Sequence, residues 1–458
     1  MLTLFITWGL SRGLLVVEKF SLQHCKDQKL FGKKKNPLTT EWGNRESIGH
    51  SRAESGRGIV EERPQSPLRY PPTCRLCPSE GRKMKRPTYK FCCRIFSRFL
   101  LFVGFMTCIL YICKVGLDAE TCDLRTVDPN HLKNAHAFAN GVLEEKCKPR
   151  FASKEMDRLF PNKYNMGLES FMKKSMDPND SLYQYGPPFG FRHFLKELDD
   201  ILELITDNDL PTGPSSKKCK RCIVIGSGGI LHGLQLGHII DEHDVVIRLN
   251  NALVHGYERD AGSKTTIRMT YPEGAPVSEQ EYGSNSLFVT VLFKHVDFLW
   301  LQAVLKNETL STWNRLFFWK SVTEKLPLKS HQIRILNPLI VKETAMDILQ
   351  FLPPRQKWWG WDKNVPTIGA IAIVMATHLC DEVSVAGFGY DLSQPDIPLH
   401  YYDNLCMNVM SRQPMHDVSK ERKLLQSLVR EGVVKDLSGG LHCEFCPSRQ
   451  TQGVPTAA

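Results

Sequence analysis

Past residue 98 the chain has no surplus of positive charge, and that absence removes the function its overall +10 would suggest. Residues 1–98 hold 20 Lys/Arg against 8 Asp/Glu, whereas residues 99–458 hold 39 against 41. The basicity belongs to an N-terminal tail, which argues against a nucleic-acid-binding main domain. Zinc-ribbon spacing is missing too. Three CxxC pairs occur (Cys74/Cys77, Cys219/Cys222 and Cys443/Cys446), but no two stand the about 15–20 residues apart that such a site needs. The dinucleotide fingerprint is incomplete. Ile223-Val-Ile-Gly226-Ser-Gly228-Gly229 begins correctly, yet position 231 is Leu, and the next strand ends Arg248-Leu-Asn250 where a ribose-binding acid is required. A nicotinamide enzyme is thereby disfavoured. No internal repeat occurs. The one Asp-x-Asp, Asp207-Asn-Asp209, sits between an apolar stretch (Phe194–Ile205) and Pro211-Thr-Gly-Pro, a place for helix ending and turn chemistry, not for a metal.

Apolar length is also short. The uncharged run from Phe99 to Cys113 falls below the about 20 residues that cross a ~30 Å hydrocarbon core. Ile95, Phe96, Val115 and Leu117 extend it, and Arg98 and Lys114 can snorkel, so residues 95–117 read as a single membrane span. Lys/Arg crowd the stretch from Arg82 to Arg98, while Asp118, Glu120 and Asp123 follow the span. The positive-inside rule then places the N-terminus in the cytosol and the C-terminal bulk in the lumen. Met1 to Val17 is broken by Arg12 and lacks a basic start and a small-residue cleavage site, so it reads as tail, not signal peptide. Cys122, Cys147, Cys219, Cys222, Cys380, Cys406, Cys443 and Cys446 fall on the lumenal side, as do sequons at Asn179 and Asn307.

The remaining organisation follows from composition and periodicity. Residues 1–94 form a basic tail without sustained periodicity, 118–186 a lumenal stem, 187–440 the main folded domain, and 441–458 a variable extension. Within the domain, Cys222–Ile225, Val245–Leu249, Ile267–Thr270, Leu287–Leu292, Ile333–Leu336 and Val383–Ala386 read as strands. Leu231–Ile240, Phe298–Lys306, Lys342–Leu352, Thr367–Leu379 and Val418–Arg430 read as helices. Such alternation predicts an α/β fold with a largely parallel, Rossmann-like sheet flanked by helices.

Taken alone, the Gly226–Gly229 turn either offers N–H groups to an anion or only lets two elements pack closely. His416 is either a surface or capping histidine, or a base kept neutral by the helix N-terminus behind it. Thr367 can cap a helix whose first turn holds Gly369.

Longer segments resolve these alternatives. Residues 219–274, CKRCIVIGSGGILHGLQLGHIIDEHDVVIRLNNALVHGYERDAGSKTTIRMTYPEG, resemble the large sialyl motif of eukaryotic sialyltransferases. Residues 366–391, PTIGAIAIVMATHLCDEVSVAGFGYD, resemble the small motif; His400-Tyr401-Tyr402-Asp403 resembles the third, and His416-Asp-Val-Ser-Lys-Glu421 the very small one. Further likeness in YGPPFGFRHF, MTYPEGAP, ILNPLIVKETAMDILQ and EGVVKDLSGG is to members that sialylate lactosylceramide. It extends from residue 95 to about 440.

The resemblance implies a GT-A-like variant fold and inverting transfer of sialic acid from CMP-sialic acid to the 3-hydroxyl of a terminal galactose, without a metal or other cofactor. It implies His416 as base and His400 as donor of a hydrogen bond to the departing phosphate. Gly226, Ser227, Gly228, Asn250, Thr367, Gly369 and Tyr401 would bind the donor, with Glu421 as support. A disulfide between Cys222 and Cys380 is implied, while Cys219 has Cys147 or Cys122 as partner. A single-pass type II protein of the Golgi membrane is expected, acting alone, as a homo-oligomer or with other glycosyltransferases. Transfer to glycoprotein or other glycolipid galactosides, or a catalytically silent lumenal binding protein of the same fold, are the competing readings. Two positions depart from the family's pattern. Ser227 stands where Asn is usual, removing an amide contact to the nucleotide, and Leu253 replaces a proline that stiffens the loop after Asn250.

Overall fold

Seven parallel strands form one sheet in the order β5-β4-β3-β2-β1-β6-β7. They are β1 Arg221–Ile225, β2 Val245–Leu249, β3 Ile267–Thr270, β4 Leu287–Thr290, β5 Ile333–Ile335, β6 Glu382–Ala386 and β7 Val434–Asp436. The computed structural model describes residues 98–107, 121–124, 126–174, 184–205, 219–353, 364–411 and 415–446. A parallel sheet covered on both faces needs apolar residues at successive positions. RCIVI and VVIRL meet that need, with β2 buried at all five residues. Alternate β1 residues divide between two cores. Cys222 and Val224 face one, Ile223 and Ile225 the other.

The flanking helices are α1 Pro129–Glu144, α2 Phe151–Leu159, α3 Leu195–Leu204, α4 Gly237–Glu242, α5 His295–Lys306, α6 Pro338–Lys342, α7 Ile368–Leu379 and α8 Val418–Arg430. The sequence of α7, IGAIAIVMATHL, has no Asp, Glu, Lys or Arg, and nearly all of it is buried as the central core helix. By contrast α8 buries one stripe, Val418, Glu421, Leu425, Leu428 and Val429.

Chain order decides where a ligand can go. From β1 the sheet grows through β2 to β5 on one side, then β6 and β7 are laid on the other. The loops leaving β1 and β6 therefore diverge at a topological switch point, which opens a crevice beyond the strands' carboxyl ends.

Most expected elements lie within one to three residues of the observed ones. The expected Leu231–Ile240 helix does not form as such. A 3-10 turn (Gly229–Leu231) and the short α4 replace it, because Asp260 captures the N–H groups of Gly233 and Gln235 at 2.8 Å and both residues adopt positive φ. Strand β7 was not expected. Residues 119–174, read as stem, supply α1 and α2, whose Ala135, Ala139, Ala152 and Met156 are wholly buried. The compact unit accordingly starts at Ala119, not near residue 187. Residues 441–446, read as extension, pack too: Phe445 meets His131 and Phe138 at 5.2 and 5.5 Å between ring centroids.

Disulfides tie these segments down. Cys222–Cys380 forms, Cys219 pairs with Cys147, and Cys122 pairs with Cys406. The CxxC pair Cys443–Cys446 is itself a disulfide. Residues 98–107 form a helix, considered by itself; no helix among the described residues is long and apolar enough to cross a membrane. Most of the expected span, the basic tail, Asn179 and Asp207–Asp209 lie outside the described residues.

Candidate active site

At the switch point two glycine loops press together. The amide of Gly226 donates to the Ala386 carbonyl (2.8 Å), that of Gly228 to Gly387 (2.8 Å), and that of Gly229 to Leu399 (3.1 Å). A methyl group on Gly226 would collide with the Gly387 carbonyl, and one on Gly228 would meet the same oxygen at 2.6 Å. Gly387 itself has φ of +73°. These amides are thus committed within the fold, and the glycines serve close backbone approach. Ser227 is the residue of the turn with polar atoms left to direct outward.

The segment after Pro398 lies across this turn. Gly228 and His400 form an antiparallel bridge, and the Tyr401 amide donates to the Ser227 carbonyl at 3.1 Å. His400 has Nδ1 3.0 Å from Asp403 Oδ2 and stacks on Tyr402, with ring centroids 5.0 Å apart and planes 8° apart. Carboxylate and stacked ring together fix the imidazole with Nε2 outward. The two tyrosines separate cleanly. Tyr401 is only 1% exposed, and its hydroxyl donates to the Leu253 carbonyl, so its side chain belongs to the core and reaches the site only through its backbone. Burial pushes its phenol pKa up.

Asn250 ends β2 with φ of +50°. Its Oδ1 accepts from the Thr270 hydroxyl at 3.2 Å, leaving the amide nitrogen to face away. The loop that follows is held without the family's proline. Arg268 donates to the carbonyls of Asn250 (2.9 Å) and Ala252 (3.1 Å), Tyr401 to that of Leu253, and Glu281 accepts from the amides of Val254 and His255. Arg268 and Glu281 form a buried ion pair at 3.1 Å, which positions both clamps.

The start of α7 and the start of α8 meet over one carboxylate. Thr367 caps α7, its Oγ1 accepting from the Ala370 amide at 3.3 Å. Glu421, in the first turn of α8, accepts from the Thr367 amide (3.0 Å) and hydroxyl (2.5 Å). Only 3% exposed, it has its pKa pushed up by burial to about 7, with the two Thr367 bonds opposing. Gly369 is a glycine because a methyl there would meet the Phe388 ring at 2.9 Å. Phe388 also abuts Gly226, so one ring connects the α7 start to the glycine turn.

His416 precedes Asp417, the N-cap of α8, and its Nδ1 lies 2.8 Å from the Val365 carbonyl. A carbonyl only accepts, so Nδ1 carries the hydrogen and Nε2 presents its lone pair. Its pKa is lowered, chiefly by burial, with the Val365 bond acting the other way. The expected direction holds, but burial is the larger cause in place of the helix dipole. A neutral imidazole with an available Nε2 can accept a proton.

Three supports escaped the sequence reading. Phe388 bridges glycine loops. Arg422 binds Asp391 through two bonds (3.1 and 3.2 Å), fastening α8 to the loop after β6. The buried Asp436 carboxylate gathers the amides of Ser438, Gly439, Leu441 and His442, and the Ser438 hydroxyl accepts from the Gly387 amide at 3.1 Å. Phe388, Asp391 and Asp436 lie in segments quoted for their likeness and Arg422 directly after one, but each role depends on contacts across the fold. Asn307 is the exposed C-cap of α5 at φ of +60°.

Comparison with known proteins places the chain in a family. The profile of glycosyltransferase family 29 (sialyltransferase) matches residues 171–433. A lactosylceramide alpha-2,3-sialyltransferase of Homo sapiens is 52% identical over 412 residues, 85% of this chain and 99% of that protein. One from Pan troglodytes is 58% identical over 340 residues, 74% of this chain and 94% of that protein. A crystal structure of a mammalian sialyltransferase superposes with a TM-score of 0.51 over 64% of this chain and 97% of the other, at 23% identity, a likeness of fold. With the profile spanning more than half its length and identity above one half to full-length relatives, the chain belongs to glycosyltransferase family 29, the sialyltransferases.

Proposed function

We propose that this chain is a single-pass type II enzyme of the Golgi membrane that transfers sialic acid from CMP-sialic acid to the 3-hydroxyl of the terminal galactose of lactosylceramide. Identity of 52–58% to relatives named for that reaction, across nearly their whole length, supports the substrates. The observation that carries the chemistry is His416, neutral, oriented by Val365, with Nε2 available. In the proposed step the galactose oxygen attacks the anomeric carbon while its proton passes to His416 Nε2. The bond from that carbon to the CMP phosphate breaks, the phosphate keeps the electron pair, and configuration inverts. His400, held at Nδ1 by Asp403, would donate from Nε2 to the departing phosphate, an interaction that strengthens as charge develops. Ser227, Asn250, Thr367 and Gly369 line the donor side, and Glu421 keeps α7 and α8 in register. A monophosphate leaves here, so the reaction is expected to proceed without a divalent metal.

Full-length protein with labelled CMP-sialic acid and lactosylceramide, in EDTA, tests the reading. Transfer to the glycolipid in EDTA supports it. No transfer to any galactoside refutes enzyme function, and transfer to desialylated glycoprotein alone refutes the acceptor.

A further inference from the structure

An aromatic surface lies outside the residues assigned to this site. Residues 312–319, TWNRLFFW, expose Trp313 (69%), Leu316 (61%), Phe317 (38%) and Trp319 (46%). Isolated surface apolar groups are ordinary, but four within seven positions, two of them Trp, form a patch. Trp313 and Phe317 touch edge to face at 5.8 Å, so the patch is one surface. Phe318, between Phe317 and Trp319 in sequence, turns inward and anchors it: Phe318 is 5% exposed, with the Lys294 ammonium 4.7 Å from its ring. Lys320 lies over the Trp319 ring at 5.5 Å.

Charge follows the aromatics. Residues 306–329 contain five Lys/Arg (Lys306, Arg315, Lys320, Lys325, Lys329) against Glu308 and Glu324, whereas residues 99–458 as a whole carry more acid than base. Trp and Phe flanked by Lys and Arg is the composition of a surface that rests in a bilayer's headgroup region, where amphipathic rings and cations both find partners. The patch is also joined to the site. Lys294 holds the Glu273 carboxylate at 2.9 Å, Glu273 accepts from the Trp319 amide at 3.4 Å, and Gly274, next in sequence, lies so close to Asn250 that a methyl would meet Asn250 Oδ1 at 2.7 Å.

We infer that Trp313, Leu316, Phe317 and Trp319 dock on the lumenal face of a lipid bilayer containing anionic lipid and so bring the site to an acceptor sugar still held in the membrane. This rests on the proposed glycolipid acceptor, because a soluble acceptor would need no such contact. The occupant is the bilayer itself, not the ceramide tail of one extracted lipid.

The test uses full-length protein reconstituted into phosphatidylcholine vesicles with and without phosphatidylserine. W313S/F317S is expected to raise KM for vesicle-borne lactosylceramide roughly tenfold or more, with kcat and the KM values for soluble lactoside and CMP-sialic acid unchanged. Omitting phosphatidylserine should raise the same KM in the wild type only. Independently of transfer, vesicles made with brominated lipid should quench wild-type tryptophan fluorescence more than that of W313F/W319F. Equal quenching overturns the docking, as does an equal KM change for soluble and vesicle-borne acceptors. If the variant loses as much with a monomeric alkyl lactoside free of any bilayer, the patch binds the tail and the inference is wrong. Should the wild type transfer to no acceptor, the proposed function fails while the quenching measurement still decides the docking.

Discussion

Replacing Glu421 by Gln separates a carboxylate that positions from one that exchanges protons. The side chain is buried and, among the described residues, bonds to Thr367 alone. Raising its pKa from the ordinary 4.5 to about 7 corresponds to about 3 kcal/mol of penalty on the ionised form in the folded protein. The sign follows from proton binding. Between pH 4.5 and 7 the folded state keeps a proton that the unfolded state has released, so stability falls as pH rises through that window. Gln cannot ionise, yet its oxygen still accepts from the Thr367 amide and its NH₂ can donate to the Thr367 hydroxyl. Thermal unfolding of E421Q and wild type should therefore nearly coincide at pH 4.5 and separate towards pH 8, with the variant more stable. For a compact unit extending from Ala119 to Ala458, about 3 kcal/mol is on the order of 4 °C in Tm. E421A strands two buried Thr367 donors and opens a cavity, costing roughly 3–5 kcal/mol near pH 4.5, where the wild-type carboxyl is protonated, and displacing His416. Transfer rates complete the case: E421Q stays active and E421A does not. An E421Q protein as inactive as E421A, yet well folded, would refute a positioning role and assign the carboxylate to proton transfer. A Tm gap constant with pH would refute the buried-charge reasoning.

Other consequences are sharper in kind than in size. H416A should abolish transfer while CMP still binds, and the acid limb of the wild-type kcat/KM profile should have an apparent pKa below 6.5, since burial lowers that of His416; a limb above 6.5 would contradict the base assignment. Removing Cys222–Cys380, which spans 158 residues, should cost about 5 kcal/mol in the chain-entropy treatment, whereas removing Cys443–Cys446, spanning 3, should cost about 2, and denaturant midpoints would expose a reversed order. G226A should lose both activity and stability, because its methyl meets the Gly387 backbone and no side chain can yield; a stable, active variant would show that the loops separate freely. S227A is expected to raise the KM for CMP-sialic acid with little change in Tm, measured by initial rates at varied donor.

What was legible in the sequence had a local cause. Strands β2 and β3 were bounded correctly because apolar runs in a parallel sheet end where burial ends. The start of α8 was legible from Asp417, whose carboxylate accepts from the Lys420 amide. Where a distant group intervened, local pattern failed. Asp260 broke the expected helix after the glycine turn from some twenty-five residues away. Short β7 was hidden because VKD has one apolar residue and is a strand only by pairing with β6. The segment read as stem has too few apolar residues to declare itself part of a core, yet α2 lays Ala152 and Met156 against α7, and two disulfides secure the region.

The site shows the same division more sharply. Residue types announced His416, His400 and the glycines, but the direction of each could not be inferred. Gly226 and Gly228 pointed to anion-binding amides, and their amides are spent on the loop after β6. Tyr401 and Tyr402 were indistinguishable as neighbours, and a half-turn of backbone sends one to Leu253 in the core and the other to stack on His400. The missing proline at 253 is the most informative case. Sequence comparison makes it a loss, but stiffness is a property of the folded loop, supplied here by Arg268, Glu281 and Tyr401 bonding four successive residues from Ala252 to His255. Proline restricts the loop before folding; this buried clamp restricts it afterwards. The departure at Leu253 therefore moves the constraint from the unfolded chain to the native contacts, and the donor-side geometry at Asn250 is held by the same arginine that bonds its carbonyl.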